Sequence, residues 1–268
     1  MYPVLFEIPL FGGITIHSYG VMVALGFVAG IIWATHDGKK NGIEPSKILD
    51  FVFYLLLASM LGSRLFYIVI SGREEFFQNP LTAFQIWRGG LVFYGGLICA
   101  LVVAVWYIRK YKLPPLVTFD VFAPAIAIGH AVGRIGCLLA GCCYGSAVSG
   151  HHWYAITFPN NPNCFAPTGI PLYPTQLMET GGELLIFGIL MLIRHFRRFK
   201  GQLIASYLML YAILRFSTEM FRGDAERGYL IEPWISTSQF VSAIMFLAGF
   251  YMYVKLRGRK DAWCARVK

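Results

Sequence analysis

Long apolar runs dominate this chain, and they constrain its fold more than any other feature. A bilayer requires about 17 to 25 apolar residues per crossing helix. Runs of that length lie near 14–35, 48–70, 91–108, 116–135, 177–193, 203–220 and 235–254. Every backbone polar group inside a bilayer needs a partner within the protein, so such runs predict helices. The sequence therefore predicts an all-α, polytopic integral membrane protein with about seven transmembrane helices.

The charged residues exclude an ordinary soluble domain. They make up 14% of the 268 residues, while hydrophobic residues make up 57%. A typical soluble domain has about 25% charged residues. The formal net charge of +9 could suggest a nucleic-acid partner, but the basic residues cluster between apolar runs instead of covering one face of a soluble module. No nucleic-acid partner is predicted.

The distribution of basic residues predicts the orientation in the membrane. The segments 37–47, 109–115, 194–201 and 255–268 together contain 16 Lys and Arg, whereas 71–90 and 221–234 contain 4. Segments rich in Lys and Arg remain on the cytoplasmic side. We therefore expect a multi-pass membrane protein with its N-terminus outside and its C-terminus in the cytoplasm. Residues 1–13 show no positive n-region and no cleavage site, so no removable signal peptide is expected.

The longest interruption between apolar runs predicts an ordered loop. It covers about 137–175 and is rich in Pro, Asn, His and aromatic residues. Long loops in compact proteins are usually functional or disordered, and these aromatic residues give this loop the means to pack. The sequence shows no internal repeat or linker. It predicts one transmembrane domain, 1–268, with an extracytoplasmic cap loop.

Arg134 lies in a segment that is otherwise small and apolar. It follows a hydrophobic run and is surrounded by glycines, Gly129, Gly133, Gly136, Gly141 and Gly145. An arginine at membrane depth faces a protein interior or a wet cavity, usually beside an anionic partner. Glycines permit close approach of backbone or ligand. This segment is therefore predicted to form the floor of a phosphate-binding site within the membrane.

A second arginine, Arg215, lies in the sixth apolar run. Helical spacing places Tyr211, Arg215, Glu219 and Arg222 on one face. One interpretation is an intrahelical ion pair between Arg215 and Glu219. The other is that Arg215 and Arg134 bind one phosphate together while Glu219 orients an arginine, because the chain shows no comparable number of buried acids to neutralise both. Tyr211 is either a further ligand donor or an interfacial aromatic residue.

Several other polar residues stand inside or beside the apolar runs. Arg64 is either a third binding cation or a side chain that extends to the nearer surface. Tyr19 begins the first helix, where an aromatic residue also suits the membrane interface. Tyr94 opens the third helix between glycines. Glu179 and Glu183 lie on the fifth helix, where each carboxylate needs a polar partner.

Four cysteines lie at or beyond the end of the fourth run: Cys137, Cys142, Cys143 and Cys164. An oxidising compartment permits a disulfide from Cys164 to Cys142 or Cys143. Zinc bound by thiolates with His130 or His151 fits the ligand types, but Cys-x4-Cys-Cys is not a usual structural zinc spacing. Reactive thiols and inert packing are the other interpretations. No metal site and no cofactor are predicted.

Five motifs together resemble the prolipoprotein diacylglyceryl transferase family of bacterial inner-membrane enzymes. They are Tyr19-Gly20, the glycine-rich segment 89–96, Gly133-Arg134-Ile135-Gly136, the segment 173–179 beginning Tyr-Pro-Thr-Gln, and Tyr211 to Arg222. They are spread over most of the chain. Tyr94 stands where the family usually has histidine, and Cys137, Ala140 and Cys142 stand where its signature continues with asparagine and acidic residues.

The resemblance implies a seven-helix fold with the N-terminus outside. It implies transfer of the diacylglyceryl group of phosphatidylglycerol to the thiol of a lipobox cysteine in a prolipoprotein signal peptide, with release of glycerol phosphate. Arg134, Arg215 and Tyr94 would be catalytic. The substrate-binding residues would be Tyr19, Arg64, His130, Gly133, Gly136, Tyr211, Glu219 and Arg222. Two alternatives remain: a phospholipid-using transferase of the same fold with another acceptor, and a membrane redox or metal-binding protein that uses the cysteines.

Overall fold

A computed structural model describes residues 1–8, 14–84, 89–90, 92–150, 152–223, 228–231 and 235–258. Its helices are α1 (Ser18–Lys40), α2 (Pro45–Ile70), α3 (Arg73–Gln78), α4 (Phe93–Lys110), α5 (Pro115–Ala140), α6 (Thr175–His195), α7 (Gln202–Glu219) and α8 (Thr237–Arg257). Short antiparallel pairs join β1 (Val4–Ile8) to β2 (Ile14–His17), β3 (Ile156–Thr157) to β4 (Pro171–Leu172), and β5 (Tyr229–Ile231) to β6 (Ile235–Ser236).

The all-α membrane fold is confirmed, and 6 helices are long and apolar enough to cross a membrane: α1, α2, α4, α5, α6 and α8. Each corresponds to a predicted apolar run. The remaining predicted span is α7, which has 18 residues. It carries Arg215 and Glu219 together with several hydroxyl side chains, which lower its hydropathy. Membrane crossing by α7 therefore stays a prediction.

Helix boundaries follow local sequence signals. Proline occupies the first position of α2 and of α5, where its missing N–H leaves no hydrogen bond unmade. The Ser236 side chain accepts from the Gln239 N–H while the Gln239 side chain accepts from the Ser236 N–H, a capping box that begins α8.

The described chain divides into two compact units, 1–34 with 119–258 and 35–118. In the first unit, α1 and α5 touch through small residues. A Cβ added at Gly26 would lie 2.6 Å from the Gly129 carbonyl oxygen, and one added at Gly30 would lie 3.0 Å from the Ala125 carbonyl oxygen. Membrane helices associate closely where small residues repeat every four positions. This contact fixes α5, and with it Arg134, against α1.

Gly26→Val is expected to destabilise the protein by about 1–3 kcal/mol, the usual cost of overpacking. The added side chain meets backbone atoms of α5, which cannot move aside as a flexible side chain could. Thermal unfolding of the purified protein measures the effect. Gly188→Ala in α6 is the matched control, because its Cβ would meet nothing within 4 Å. Equal loss in both variants would contradict close packing of α1 on α5.

Asp120 connects α5 to the start of α7. Its Oδ2 accepts from the Gly201 N–H at 2.6 Å and its Oδ1 from the Ile204 N–H at 3.0 Å, so it caps α7 from another helix. Arg197 Nη2 lies 3.5 Å from Asp120 Oδ2. Arg134 follows Asp120 by about 21 Å along α5, and Arg215 follows Gly201 by about the same rise along α7. The two helices therefore run parallel and bring both arginines to one level.

The loop after α5 contains its own small cluster. Phe158, Ala166 and Leu172 are buried there, and partly buried side chains pack on them, including Leu138, Tyr144 and Cys164. The loop begins after Ala140, where α5 ends, slightly later than the predicted 137. The β3–β4 pair orders its middle. Its extracytoplasmic position stays a prediction, as does the single-domain organisation.

The second unit, 35–118, holds all of α2 and α4, which also meet at small residues. A Cβ at Gly62 would lie 2.7 Å from the Gly95 carbonyl oxygen, and one at Gly96 would lie 2.8 Å from the Ser59 carbonyl oxygen. Tyr107 is fully buried, and its hydroxyl donates to the Lys47 carbonyl at 3.1 Å. In both units, small residues thus let the backbones of two helices come close together. Close packing of this kind can hold helices together in lipid, where no hydrophobic effect favours their association.

Candidate active site

Glu179 of α6 joins the two predicted arginines. Its Oε1 accepts from Arg215 Nη1 at 2.7 Å, and its Oε2 forms an ion pair with Arg134 Nε. Glu179 is only 4% exposed. Three helices, α5, α6 and α7, therefore meet at one buried carboxylate.

The expectation that buried acids are too few to neutralise both arginines is wrong. Glu179 serves Arg134 and Arg215, and Glu219 Oε2 lies 3.0 Å from Arg215 Nη2. Both acids are almost fully buried. A buried cation costs several kcal/mol unless it is paired, so the carboxylates make these arginines tolerable within the helices. These carboxylates do not exclude binding of an anion, because that depends on the guanidinium nitrogens that do not contact a carboxylate.

The two arginines differ in how many of their nitrogens are engaged. Arg215 uses Nη1 for Glu179, and Nη2 for Glu219 and for the Ser238 hydroxyl at 2.9 Å. Arg134 meets Glu179 through Nε, and its Nη1 lies 4.0 Å from Cys137 Sγ. Among the described residues, no carboxylate forms an ion pair with the terminal nitrogens of Arg134. These two nitrogens lie in one plane and form a fork of N–H donors, which matches the geometry of two phosphate oxygens.

Thr218 and Ser238 complete the support of this cluster. Thr218 Oγ1 donates to Glu179 Oε1 at 3.2 Å, and Ser238 lies at the start of α8. The predicted pair between Arg215 and Glu219 is present, and it extends to α6 and α8. Arg215 is therefore held by side chains from its own helix and from two others.

His130 forms a second polar pair one turn before Arg134. Its Nδ1 lies 2.6 Å from Glu183 Oε1, and its ring lies 5.5 Å from the Tyr211 ring. The Glu183 side chain is 1% exposed, whereas that of His130 is 28% exposed. The carboxylate therefore holds one ring nitrogen of His130, while part of the ring remains accessible.

The glycines of the Arg134 segment have separate tasks. Gly136 packs on α1, because a Cβ there would lie 2.9 Å from Met22 Cβ and 3.3 Å from the Tyr19 carbonyl oxygen. A Cβ at Gly133 would meet nothing within 4 Å. The predicted binding role thus suits Gly133, whereas Gly136 is required for helix packing. The same contact places the backbone of Tyr19 beside this segment.

The three cysteines after Arg134 lie together where α5 ends: Cys137 is in its last turn, and Cys142 and Cys143 are in the tight turn that follows. We call this segment the three-cysteine turn. The Sγ atoms of Cys137, Cys142 and Cys143 all lie within 4.8 Å of one another. Gly141 ends α5 at φ 74°, and Cys143 also has a positive φ, 57°, a region that residues other than glycine rarely adopt. Hydrogen bonds from Thr175 Oγ1 to the Cys143 carbonyl (2.8 Å) and from Gln176 Nε2 to the Cys142 carbonyl (2.9 Å) pin the turn to α6.

Hydrogen bonding among these thiols separates their acidities. The pKa of the Cys143 thiol is lowered, because Cys137 and Cys142 donate to it and because Arg134 and Arg222 lie near. The pKa of the Cys142 thiol is raised, because its hydrogen bonds to Cys137 and Cys143 favour the protonated form. The turn thus favours negative charge on one sulfur beside the arginines.

The five described cysteines are all free thiols, and Cys164 is bonded neither to Cys142 nor to Cys143. Alkylation with a chelator and no reductant is therefore expected to label Cys142, Cys143 and Cys164, whose side chains are partly exposed. Mass spectrometry of the peptides measures the labelled fraction against a denatured, reduced sample. Labelling that appears only after reductant would show that a disulfide closes this loop.

The remaining predicted site residues have other surroundings. Arg64 and Tyr94 belong to the second unit. The Arg64 guanidinium donates to the carbonyls of Ala83, Gly89 and Gly90 at 3.3, 2.8 and 3.2 Å and lies 5.1 Å from the Tyr67 ring centroid. The N–H groups of the Arg64 guanidinium therefore donate to backbone carbonyls.

Tyr94 lies at the start of α4, and Arg222 lies just after the end of α7. Tyr94 is 47% exposed in the first turn of α4, beside Phe93. The backbone of Arg222 pairs with Gly145, which joins the end of α7 to the loop after α5. His151, the alternative zinc ligand, lies outside the described residues.

Glu179, Thr218 and Ser238 were not among the predicted site residues. Glu179 had a signal, because a carboxylate in an apolar run needs a polar partner, but the sequence does not say which partner. Ser238 and Thr218 had no signal, since hydroxyl residues are common at helix ends and within membrane helices. Their roles follow only from the positions of α6 and α8 relative to α7.

These features define a class: a multi-pass helical membrane protein with a buried arginine–carboxylate site between its helices. A family model for prolipoprotein diacylglyceryl transferase matches residues 3–255. The chain therefore belongs to the prolipoprotein diacylglyceryl transferase family.

Individual relatives are similar along nearly their whole length. Phosphatidylglycerol–prolipoprotein diacylglyceryl transferase 2 of Clostridium perfringens is 32% identical over 251 residues, covering 93% of this chain and 95% of that protein. The transferase of Clostridium tetani is 33% identical and covers 97% of this chain and 100% of that protein. The transferase of Acinetobacter baumannii is 31% identical and covers 90% and 88%.

Proposed function

We propose that this protein transfers the diacylglyceryl group of phosphatidylglycerol to the thiol of a lipobox cysteine in a prolipoprotein, forming a thioether and releasing glycerol phosphate. The names of the relatives support this substrate pair. The observation that carries the proposal is the Arg134–Glu179–Arg215 cluster, which holds a cationic fork among membrane helices. Family membership favours this function over a redox or metal-handling protein.

The reaction needs a cation on the departing phosphate. A thiolate forms a bond to a glyceryl carbon while the bond from that carbon to the phosphate oxygen breaks, and negative charge grows on the phosphate. Preorganised donors at such a position stabilise the transition state. Arg134 provides them through its terminal nitrogens, beside the open space at Gly133.

Arg215 is a positioning residue in this proposal. Its terminal nitrogens already meet Glu179, Glu219 and Ser238. By fixing Glu179, it fixes the plane of the Arg134 guanidinium. The orientation of the Arg134 guanidinium can matter as much to the rate as its contact with the phosphate, because a small displacement of a catalytic group removes the reactive geometry.

His130 is the proposed proton acceptor for the incoming thiol. Glu183 holds its Nδ1, and a carboxylate partner of this kind orients the imidazole ring. Tyr211 and Tyr19 line the same segment and are proposed to position the head group. The catalytic role predicted for Tyr94 and the binding roles of Arg64 and Arg222 stay predictions.

A transfer assay tests the function. Purified protein in lipid nanodiscs receives phosphatidylglycerol and a lipobox peptide, and mass spectrometry detects the thioether and glycerol phosphate. A peptide with serine in place of the lipobox cysteine is the acceptor control, and phosphatidylethanolamine is the donor control. Complementation of a strain depleted of its own transferase is the cellular test. Product from neither assay would contradict the proposal.

The proposed orientation places the N-terminus outside and the C-terminus in the cytoplasm of the bacterial inner membrane. Reporter fusions after Lys40, Lys112 and Lys200 are expected to give a cytoplasmic signal, because the basic segments remain inside. A fusion near Asn160 is expected to give an external signal. A cytoplasmic signal at Asn160 would reverse the layout and separate the site from an external acceptor.

A further inference from the structure

Phosphate binding by Arg134 and proton transfer to His130 leave the three-cysteine turn without a role. Within the part of the chain that the structure describes, Cys137, Cys142 and Cys143 are the one group of three or more metal-ligating side chains brought together. Cys137 is buried, while Cys142 and Cys143 are partly exposed. The cluster therefore has a closed side within the protein and an open side.

The backbone presents the three sulfurs together. The Cys142 N–H donates to the Cys137 carbonyl at 3.1 Å, which closes the turn at the end of α5. The left-handed conformation at Gly141 and Cys143 reverses the chain within three residues. Thr175 and Gln176, each 1% exposed, hold the far side of the turn by its carbonyls. A non-glycine residue held at positive φ indicates that the surroundings impose this shape.

The spacing suits one thiophilic ion. Zinc binds thiolate sulfur at about 2.3 Å, so tetrahedral geometry separates two such sulfurs by about 3.8 Å. The observed separations of up to 4.8 Å need only small side-chain rotations to reach that value. Three protein ligands and one open position are the usual arrangement of a catalytic zinc ion, whereas structural zinc has four.

The charges around the turn also suit such an ion. Zinc with three thiolates carries a net charge of about −1. The Arg134 guanidinium lies 4.0 Å from Cys137 Sγ through Nη1, so a cation is already present to balance it. Soft thiolate ligands select zinc or copper(I) over magnesium, calcium or manganese.

We propose that Cys137, Cys142 and Cys143 bind one zinc ion as thiolates, and that the open fourth position takes the thiol of the acceptor cysteine. The second part rests on the proposed transfer function. The position of the cluster supports it, because the acceptor sulfur on such an ion would lie next to Arg134, the residue proposed to hold the departing phosphate. The attacking thiolate and the departing phosphate would then lie next to each other.

The step balances without any further reagent. The acceptor sulfur loses its proton to water or His130 as it binds zinc. Its electron pair then forms the bond to the glyceryl carbon while the carbon–oxygen bond to the phosphate breaks. Glycerol phosphate takes up the electron pair and leaves. The product thioether is a weaker ligand than a thiolate and departs, which leaves the three-cysteine site ready for another acceptor.

Metal content and cobalt spectroscopy test the site without any activity. Purified protein is stripped with chelator and then titrated with Zn²⁺ or Co²⁺ under reducing conditions. We expect about one ion per chain, and thiolate-to-cobalt absorption typical of tetrahedral sulfur coordination. The variant with Cys137, Cys142 and Cys143 all changed to Ser is expected to lose both signals. Cys164→Ser is the matched control and should retain them.

Several outcomes would overturn the site. One is an identical cobalt spectrum in the triple variant. Another is no binding by the wild type against a competing chelator. A third is a disulfide among the three cysteines in protein purified without reductant, since that would make the turn a redox element. A single variant, Cys142→Ser, keeps the test valid if the triple variant does not fold, because losing one thiolate is expected to weaken binding at least 10-fold.

The acceptor position is tested separately from the reaction. Adding a lipobox peptide with cysteine to the cobalt form is expected to change its spectrum, while the serine peptide is not. Zinc removal is expected to lower the transfer rate at least 10-fold, with recovery on zinc addition. Full transfer after zinc removal would overturn the acceptor role and leave the proposed function intact. Binding and spectral change without transfer under any condition would instead contradict the proposed function and leave the site intact.

Discussion

Arg134→Lys is expected to lower the transfer rate by about 10²-fold or more, the scale seen when one preorganised charge stabiliser is removed. Lysine keeps the charge but has no planar fork and cannot meet Glu179 and a phosphate at once. The expected loss is in kcat, because charge on the phosphate grows only in the transition state. The measurement is the donor-to-peptide assay in nanodiscs.

Arg215→Lys is expected to give a similar loss for another reason. The lysine ammonium cannot bridge Glu179, Glu219 and Ser238, so Glu179 and then Arg134 lose their fixed orientation. Its signature is a lower kcat for phosphatidylglycerol at nearly unchanged KM, with an unfolding temperature near that of the wild type. A structural role alone would lower the unfolding temperature in proportion to the activity.

Arg198→Lys is the control for both variants, because Arg198 is exposed on the loop between α6 and α7. It should keep wild-type activity. Glu219→Gln should be milder than either arginine variant, since Glu219 orients Arg215 without reaching the ligand. Near-normal activity in both Arg134→Lys and Arg215→Lys would show that these arginines are structural and that the site lies elsewhere.

Glu179→Gln is expected to destabilise the folded protein by about 3–5 kcal/mol, the cost of removing one partner of a buried ion pair. The effect should be at the upper end, because this one carboxylate serves Arg134 and Arg215 on two other helices. Glutamine has the same shape, so lost charge rather than lost volume causes the change. Thermal or denaturant unfolding of the purified protein measures it.

Two further variants make this prediction decisive. Glu179→Asp keeps the charge on a shorter side chain and should lie between the wild type and Glu179→Gln. Glu44→Gln, at an exposed position before α2, is the control and should leave stability unchanged. Wild-type stability of Glu179→Gln would mean that the two arginines find other anionic partners, and the three-helix account of the site would fail.

The structure brings some of the predicted site residues together, and the contacts that the sequence did not predict share one cause. Arg134, Arg215, Glu219 and Tyr211 were predicted because charge within an apolar run is rare and helical spacing shows which residues share a face. The partners of Arg134 and His130 lie 45 and 53 positions away in sequence, on α6. Spacing along one helix carries no information about a neighbouring helix, so neither pair was predictable.

Arg64 shows how one sequence context leads to different surroundings. Its place in an apolar run made it a binding candidate on the same grounds as Arg134. In the structure its guanidinium is taken up by carbonyls of the segment after α3. Two arginines with the same sequence context thus differ. Backbone carbonyls of a nearby segment accept the hydrogen bonds of Arg64. Arg134 instead pairs with a carboxylate distant in sequence through Nε, and its terminal nitrogens form no ion pair with that carboxylate.

The sequence by itself determined the class of fold, the family and the approximate helix boundaries. These depend on run length, hydropathy and short motifs, all of which are local or additive along the chain. Only the tertiary structure decided that Glu179 joins two arginines, that Gly136 packs on α1 while Gly133 faces open space, and that three cysteines lie within 4.8 Å of one another. Such contacts depend on how helices from separate parts of the chain approach, which follows from the packing of many small residues at once.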